Sequence, residues 1–292
     1  MSRFRGTITA LITPFRDGRV DVPALERLVE SQVAAGVNGL LACGTTGESP
    51  TLSEDEHALV VRTIVRTARR RVPVIAGAGS NDTRHAQRLA KLAAQLEVDG
   101  LLVVSPYYNK PTQAGLFAHF RAVAGATELP VMLYNIPGRC GVEIAIPTIQ
   151  RLFDTCKNIV SVKHATGRVD DAAELAQACG IEIISGDDPI TWPLMSLGAV
   201  GVVSVMSNLV PRMVLRLTDA ALAGDFHAAQ AAHRALYPLA RRLLSLETNP
   251  IPIKTALALR GVCAEEFRLP MCPLAAENRE KLAAILAESE AS

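Results

Sequence analysis

From residue 6 onward the chain alternates between short apolar runs and longer amphipathic stretches. The apolar runs fall at Ile8–Ile12, Gly39–Cys43, Val72–Ala76, Gly100–Val104, Val131–Tyr134, Ile159–Lys163, Ile181–Ser185 and Gly201–Val205. Stretches rich in Ala, Leu and Arg separate them at about 21–35, 53–70, 83–96, 113–126, 146–154, 169–179 and 189–197. Apolar runs without polar alternation are what strands covered on both faces require, and a helix between consecutive strands is the connection that parallel pairing needs. Eight strands are the number that closes a (β/α)8 barrel of about 200–250 residues. A doubly wound open sheet is the competing arrangement, but the Gly-x-Gly-x-x-Gly fingerprint that would favour it does not follow the first run. Beyond residue 224 the pattern is helical only, at Asp225–Leu246, from a proline-punctuated start at Asn249, and at Leu274–Glu288. The expected architecture is an α/β, (β/α)8 TIM barrel over residues 1–224 that carries the site, with a C-terminal helical domain over 225–292.

Composition narrows the partners more than the fold. With 292 residues and 49% hydrophobic content the chain has enough apolar material for a large core, and 17 Pro with 20 Gly is ordinary usage. Thirty basic and 29 acidic residues leave a formal charge of +1, which provides no field for nucleic acid or a membrane surface. Six scattered cysteines show no metal or redox spacing, which suits a reducing, cytoplasmic compartment and leaves no metal site to expect. The N-terminus is basic, but Thr7, Thr9, Thr13 and Pro14 break the apolar stretch a signal peptide would need, and no stretch approaches a transmembrane span.

Chemistry enters at the ends of the runs. In a parallel barrel, ligands bind where the strands end, and Lys163 closes the run Ile159–Lys163 just before Ala165-Thr166-Gly167. The other lysines lie in helical or loop-like sequence, at Lys91, Lys110, Lys157, Lys254 and Lys281, so Lys163 alone caps an apolar strand. The second run ends in Gly44-Thr45-Thr46-Gly47-Glu48-Ser49, a turn offering two hydroxyls and several N–H groups to an anion. The fourth leads into Tyr107-Tyr108-Asn109-Lys110-Pro111, and the fifth into Tyr134-Asn135-Ile136-Pro137-Gly138-Arg139. A tyrosine at a strand mouth can relay protons, and an arginine shortly after it can clamp a carboxylate. Each residue also has a plain structural use, as rim packing, core tyrosine or surface arginine. Together they provide an amine nucleophile, a proton relay and anion sites, a set suited to Schiff-base chemistry on a keto acid.

These motifs, with Ser185-Gly186-Asp187-Asp188 and Asn249-Pro250-Ile251-Pro252-Ile253-Lys254, occur in an order and at separations that resemble the dihydrodipicolinate synthase family. That family belongs to the pyruvate-dependent class I aldolases, which include N-acetylneuraminate lyase. The resemblance implies that Lys163 forms an imine with pyruvate, whose enamine attacks aspartate 4-semialdehyde in lysine biosynthesis. It implies that Tyr134 shuttles protons, that Thr45 links it to Tyr108 of a neighbouring subunit, and that no cofactor is required. Thr46 would hold the pyruvate carboxylate and Arg139 that of the semialdehyde, with the Val203 carbonyl and Gly186 beside the substrate. It further implies a homotetramer built as a dimer of dimers.

His164, Arg168 and Cys140 depart from residues common in the family, and none of them removes a catalytic group. His164 sets an imidazole beside the nucleophile, with its side chain expected to point between strand and helix. Lysine-inhibited relatives bind lysine at positions matching Ser49, Pro50, Glu54, His57, Asn81, His85 and Tyr107. Here Glu54 stands for a His and His85 for a Glu, from which weak or absent inhibition is expected. The rival functions are a sister sugar-acid aldolase and a barrel without activity that serves as a sensor or structural oligomer.

Overall fold

The computed structural model describes residues 4–291. Eight parallel strands close into one barrel: β1 (Gly6–Ala10), β2 (Gly39–Ala42), β3 (Val74–Gly77), β4 (Gly100–Val104), β5 (Val131–Asn135), β6 (Ile159–His164), β7 (Glu182–Ser185) and β8 (Gly201–Ser204). Each strand pairs with the next in sequence, and β8 returns to β1. The eight apolar runs thus supply the eight strands of a (β/α)8 barrel.

Two layers of apolar side chains explain why the runs lack polar alternation. Ile8, Leu41, Ile75, Leu102, Met132, Tyr134, Ile184 and Val203 form a cluster of their own that fills the lumen, with Phe4 abutting Gly100 where the strands begin. The larger cluster lies between the strands and the surrounding helices, and includes Leu40, Leu101, Val103, Leu133, Val162 and Val202. The helices are α1 (Val22–Ala35), α2 (Glu54–Ala68), α3 (Thr83–Gln95), α4 (Gln113–Ala124), α5 (Pro137–Cys140), α6 (Ile146–Thr155), α7 (Asp170–Ala178), α8 (Thr191–Ser196) and α9 (Pro211–Leu222). Capping fixes where several of them start. The Asp21 side chain accepts from Ala24 N–H, and Ser53 and Glu56 form a reciprocal capping box at α2. Three further helices follow, α10 (Phe226–Leu244), α11 (Ile251–Leu259) and α12 (Ala276–Ala291).

Some details differ from the sequence expectation, among them β3, expected at Val72–Ala76 and found at Val74–Gly77, and the short α5, which was not expected. β1 begins two residues earlier than the run Ile8–Ile12, taking in Gly6 and Thr7: Thr7 Oγ1 lies 2.8 Å from Thr218 Oγ1, and within the strand Thr9 Oγ1 donates to Gln32 at 2.8 Å. With partners on α9 and α1, both hydroxyls are tolerated in a buried strand. The stretch at 189–197 begins as a 3-10 turn, Asp188–Ile190, and only then becomes α8. The eighth barrel helix, α9, follows β8 and was not among the expected helices, although it buries Val214, Leu215 and Leu217.

The seam between β8 and β1 depends on close backbone approach. Gly6 pairs with Gly201, and a Cβ placed on Gly201 would lie 2.2 Å from the Gly6 carbonyl oxygen and 2.5 Å from its nitrogen. Backbone on both sides cannot yield as a flexible side chain would. Gly201→Ala is expected to lower stability by about 1–3 kcal/mol or more, read from the midpoint of urea unfolding. An unchanged midpoint would show that the seam opens without cost.

Candidate active site

The position of Lys163 is set by an irregularity in β6. Val131 of β5 pairs with Ile159, but Met132 pairs with Ser161, so Val160 is an extra residue without a partner across the ladder. A bulge of this kind reverses the inside–outside parity of everything that follows. With strict alternation from the outward Ile159, Lys163 would face the helices. With Val160 inserted, Val162 joins the outer layer and Lys163 stands across from the lumen residue Tyr134. Its amine lies 4.1 Å from the centre of the Tyr134 ring, and Lys163 is 5% exposed. Gly186 leaves room for the stem: a Cβ there would be 2.9 Å from Lys163 Cε and 2.8 Å from Ala165 Cβ.

The same parity sends His164 outward, as expected. Its Nε2 lies 2.9 Å from the Arg168 carbonyl, which only accepts, so this nitrogen carries the proton. Arg168 donates in turn to Glu143 at 2.5 Å and to Asp171, fastening the loop that follows β6. Two of the three departures from the family pattern, His164 and Arg168, thus form one structural cluster beside the nucleophile.

After β2 the chain turns back on itself through Gly47 N–H to Gly44 O at 3.1 Å, Glu48 N–H to Thr45 O at 3.1 Å and Ser49 N–H to Gly44 O at 3.4 Å. The N–H groups of Thr45 and Thr46 take no part in these bonds. The Thr46 hydroxyl oxygen accepts from Asn249 Nδ2 at 3.0 Å, which leaves its O–H to donate. Arg139, on the short α5, is exposed and its Nη2 donates to the Asn249 carbonyl at 3.0 Å and to Thr248 Oγ1 at 3.4 Å. α5 is itself held because Asn135, at the end of β5, exchanges two hydrogen bonds with the backbone of Ile144.

A cavity of about 350 Å³ opens at this end of the barrel, lined by Thr45, Tyr134 and Arg139 and also by Ser49, Pro50, Glu54, His57, His85 and Tyr107. Of the remaining site candidates, Val203 is 1% exposed in the lumen opposite Ile8, and the Asn81 carbonyl accepts from Asn109 Nδ2. Tyr108 is not brought to the site of its own chain: its ring is 88% exposed, on a backbone with φ +71°. Cys43 and Cys140 line the cavity too, but burial pushes both thiols up, Cys140 to about 11, so neither is a thiolate at neutral pH. Among the described residues no group of three or more His, Cys, Asp or Glu is placed to hold a metal, and no helix is long and apolar enough to cross a membrane.

Several residues shape the site in ways that the motifs containing them do not announce, and Arg268 lies in no motif at all. Asp188 is 3% exposed and accepts from Ser204 Oγ at 2.5 Å and from Val205 N–H at 2.8 Å, tying the ends of β7 and β8 together. Burial pushes its carboxyl up, against those donors. Lys254 reaches the Thr45–Thr46 turn from α11, Asn249 from the segment just before it and Arg268 from the segment between α11 and α12. Asn249 and Lys254 lie in a motif visible in the sequence, but the place they reach is set only by the tertiary fold.

A closed (β/α)8 barrel with a buried lysine and tyrosine facing each other at its mouth is the frame of a lysine-dependent aldolase. The model of the dihydrodipicolinate synthetase family matches residues 3–289. A relative from Pelobacter propionicus, a 4-hydroxy-tetrahydrodipicolinate synthase, is 50% identical over 97% of this chain and 98% of its own. The enzyme of the same name from Geobacter metallireducens is 48% identical over 98% and 99%. The solved structure of that synthase from the thermoacidophilic methanotroph Methylacidiphilum fumariolicum SolV superposes with a TM-score of 0.97 at 50% identity, covering 99% of this chain and 96% of the other. The chain belongs to the dihydrodipicolinate synthetase family.

The turn is braced from outside by Arg268, whose guanidinium donates to Glu56 at 2.5 and 2.6 Å and to the Thr51 carbonyl at 3.0 Å. Arg268, helped by the Ser53 amide and opposed by burial, holds the Glu56 carboxyl at about 2, below its ordinary 4.5. A carboxyl lowered by folding adds stability above its unfolded value, and this stability is lost as pH falls through the folded one. Wild-type stability should therefore drop between about pH 4.5 and pH 2 partly through this pair. Glu56→Gln is expected to lower stability at neutral pH by about 1–3 kcal/mol and to flatten that part of the curve. Urea midpoints measured against pH check both, and an unchanged slope would remove Glu56 from the acid transition.

Proposed function

We propose that this protein is a 4-hydroxy-tetrahydrodipicolinate synthase that condenses pyruvate with aspartate 4-semialdehyde through an imine on Lys163. The observation that carries this is the Lys163 amine, turned inward by the β6 bulge to 4.1 Å from the Tyr134 ring. Attack of Nζ on the pyruvate ketone and loss of water give the imine. A protonated C=N is a stronger electron sink than the ketone, so a methyl proton passes to Tyr134 to leave the enamine, whose carbon bonds to the aldehyde carbon as the aldehyde oxygen takes up a proton. The amine of the adduct then displaces Lys163 from the imine carbon, closing the ring and freeing the enzyme.

Tyr134 relays the protons of these steps, with Thr45 connecting it to Tyr108 of a neighbouring subunit. A large ring left 88% exposed supports that assignment and, with it, a dimer as the smallest active unit within a homotetramer. Thr46, with the N–H groups of its turn, holds the pyruvate carboxylate, and Arg139 holds that of the semialdehyde. Gly186 and the Val203 carbonyl border the imine. No cofactor enters any step. The barrel over residues 1–224 provides the chemistry and the helical domain over 225–292 steadies its mouth. Six free cysteines accord with a cytoplasmic enzyme. A sister sugar-acid aldolase would use hydroxyl-binding groups where this chain has Pro137-Gly138-Arg139, and relatives named for the synthase at about half identity favour the synthase.

Borohydride reduction in the presence of pyruvate should add one pyruvyl group to the peptide containing Lys163, and Lys163→Arg should stay folded, form no adduct and lose nearly all turnover. A label on Lys254, or none, would contradict the assignment. A second expectation concerns lysine. The Glu54 carboxylate, the one negative charge that could replace the Glu missing at position 85, already faces Arg88 at 3.5 Å and His85 at 3.6 Å. Weak or absent inhibition follows, and a steady-state assay across a lysine titration checks it. Strong inhibition below a millimolar would show that Glu54 receives the ligand.

A further inference from the structure

The chemistry uses one lysine, yet the protein buries a second completely. Lys254, on α11, is 0% exposed, and its amine donates to Glu48 Oε1 at 2.6 Å. The Phe15 and Phe267 rings cover it, with centroids 4.1 and 5.1 Å away. Glu48 follows Thr45-Thr46-Gly47 with a left-handed backbone, φ +53°, and its second oxygen accepts from Arg268 N–H at 3.3 Å. Burial pushes the Lys254 amine down, and the Glu48 carboxylate opposes that shift.

Stability is a poor reason for such a pair. Two charges taken from water recover their desolvation cost only with close geometry, and apolar residues of similar size commonly stabilise as well or better. What an isolated buried pair can add is position, because only one arrangement satisfies both charges. Here the constrained element is the turn that carries Thr45 and Thr46. Two residues before the same helix, Asn249 donates from Nδ2 to the Thr46 hydroxyl at 3.0 Å, while its carbonyl accepts from Arg139. The chain around the start of α11 thus meets the turn twice, through Asn249 at Thr46 and through Lys254 at Glu48.

We propose that Lys254 and Glu48 are positioning residues whose buried ion pair fixes the turn that presents Thr45 and Thr46 at the barrel mouth, an inference that rests on the imine chemistry proposed above. Neither residue touches substrate. Lys254 is kept from competing as a nucleophile by its enclosure and its carboxylate partner.

The test compares wild type with Lys254→Met, Glu48→Gln and the double variant. For each, kcat, KM for pyruvate, the thermal midpoint, borohydride trapping at Lys163 and hydrogen exchange of the Gly47, Glu48 and Ser49 amides are measured. Each single variant is expected to trap pyruvate at Lys163, to lose about tenfold or more in kcat, and to raise KM severalfold. Exchange of the three amides should quicken by about tenfold or more. The double variant, with no unpaired buried charge, should recover most of the thermal midpoint but not kcat, and its loss should match that of one single variant rather than the product of two. A double variant whose kcat returns together with its midpoint would overturn the proposal, since a structural role makes activity follow stability. If the single variants do not fold, Glu48→Asp serves, because it keeps both charges and shortens the tie by one carbon. Its kcat should fall at a nearly unchanged midpoint, and a wild-type kcat there would also overturn the proposal. Wild-type protein that traps no pyruvate would defeat the imine chemistry instead, and amide exchange in the turn would still report on the ion pair.

Discussion

One extra residue in β6 decides what the barrel mouth can do. A strand in a closed barrel alternates between lumen and helix layer, so the choice of which residue faces inward is binary. Val160, without a partner across the β5 ladder, switches that choice between Ile159 and Val162. The consequence is that a long cationic side chain enters an apolar lumen at the one level where a phenol stands opposite. His164, the next residue, is sent into hydrogen bonds with the following loop for the same reason. Gly186 and the tie from Asp188 to Ser204 then keep the neighbouring strand ends clear of the Lys163 stem and fixed in place.

The rest of the mouth is assembled from across the chain. The turn after β2 closes on three backbone hydrogen bonds of its own, and α11 and the segment around Arg268 hold it from outside through Asn249, Lys254 and Arg268. Arg139 is drawn to the same place by the carbonyl of Asn249. Helices outside the barrel therefore set the positions of groups inside its opening. This accounts for a C-terminal segment that contributes no strand and yet buries Lys254 and Ile253 completely.

Much of the fold was legible in the sequence because a fully buried parallel strand leaves a strong mark, an apolar run bounded by helical periodicity. β1 was misjudged by two residues because the apolar run begins at Ile8, whereas Gly6 and Thr7 also pair in the ladder and the Thr7 hydroxyl finds its partner on α9, far away in sequence. Lys163 was legible as a strand-end amine, but strict alternation would have faced it outward, and nothing local announces the bulge that turns it in. Tyr134 and Thr46 shared that local legibility. Lys254 and Glu48 did not, since a lysine on a helix and a glutamate in a turn look solvated until the fold brings them together.

The most direct measurement is a crystal structure of the protein after borohydride reduction with pyruvate. The expected map shows Val160 as the unpaired residue of β6, the alkylated Nζ of Lys163 in the lumen against Tyr134, and the pyruvyl carboxylate at the Thr46 hydroxyl. A β6 that runs without the extra residue, or a carboxylate turned away from the Thr45–Thr46 turn, would contradict this description of how the barrel places its amine.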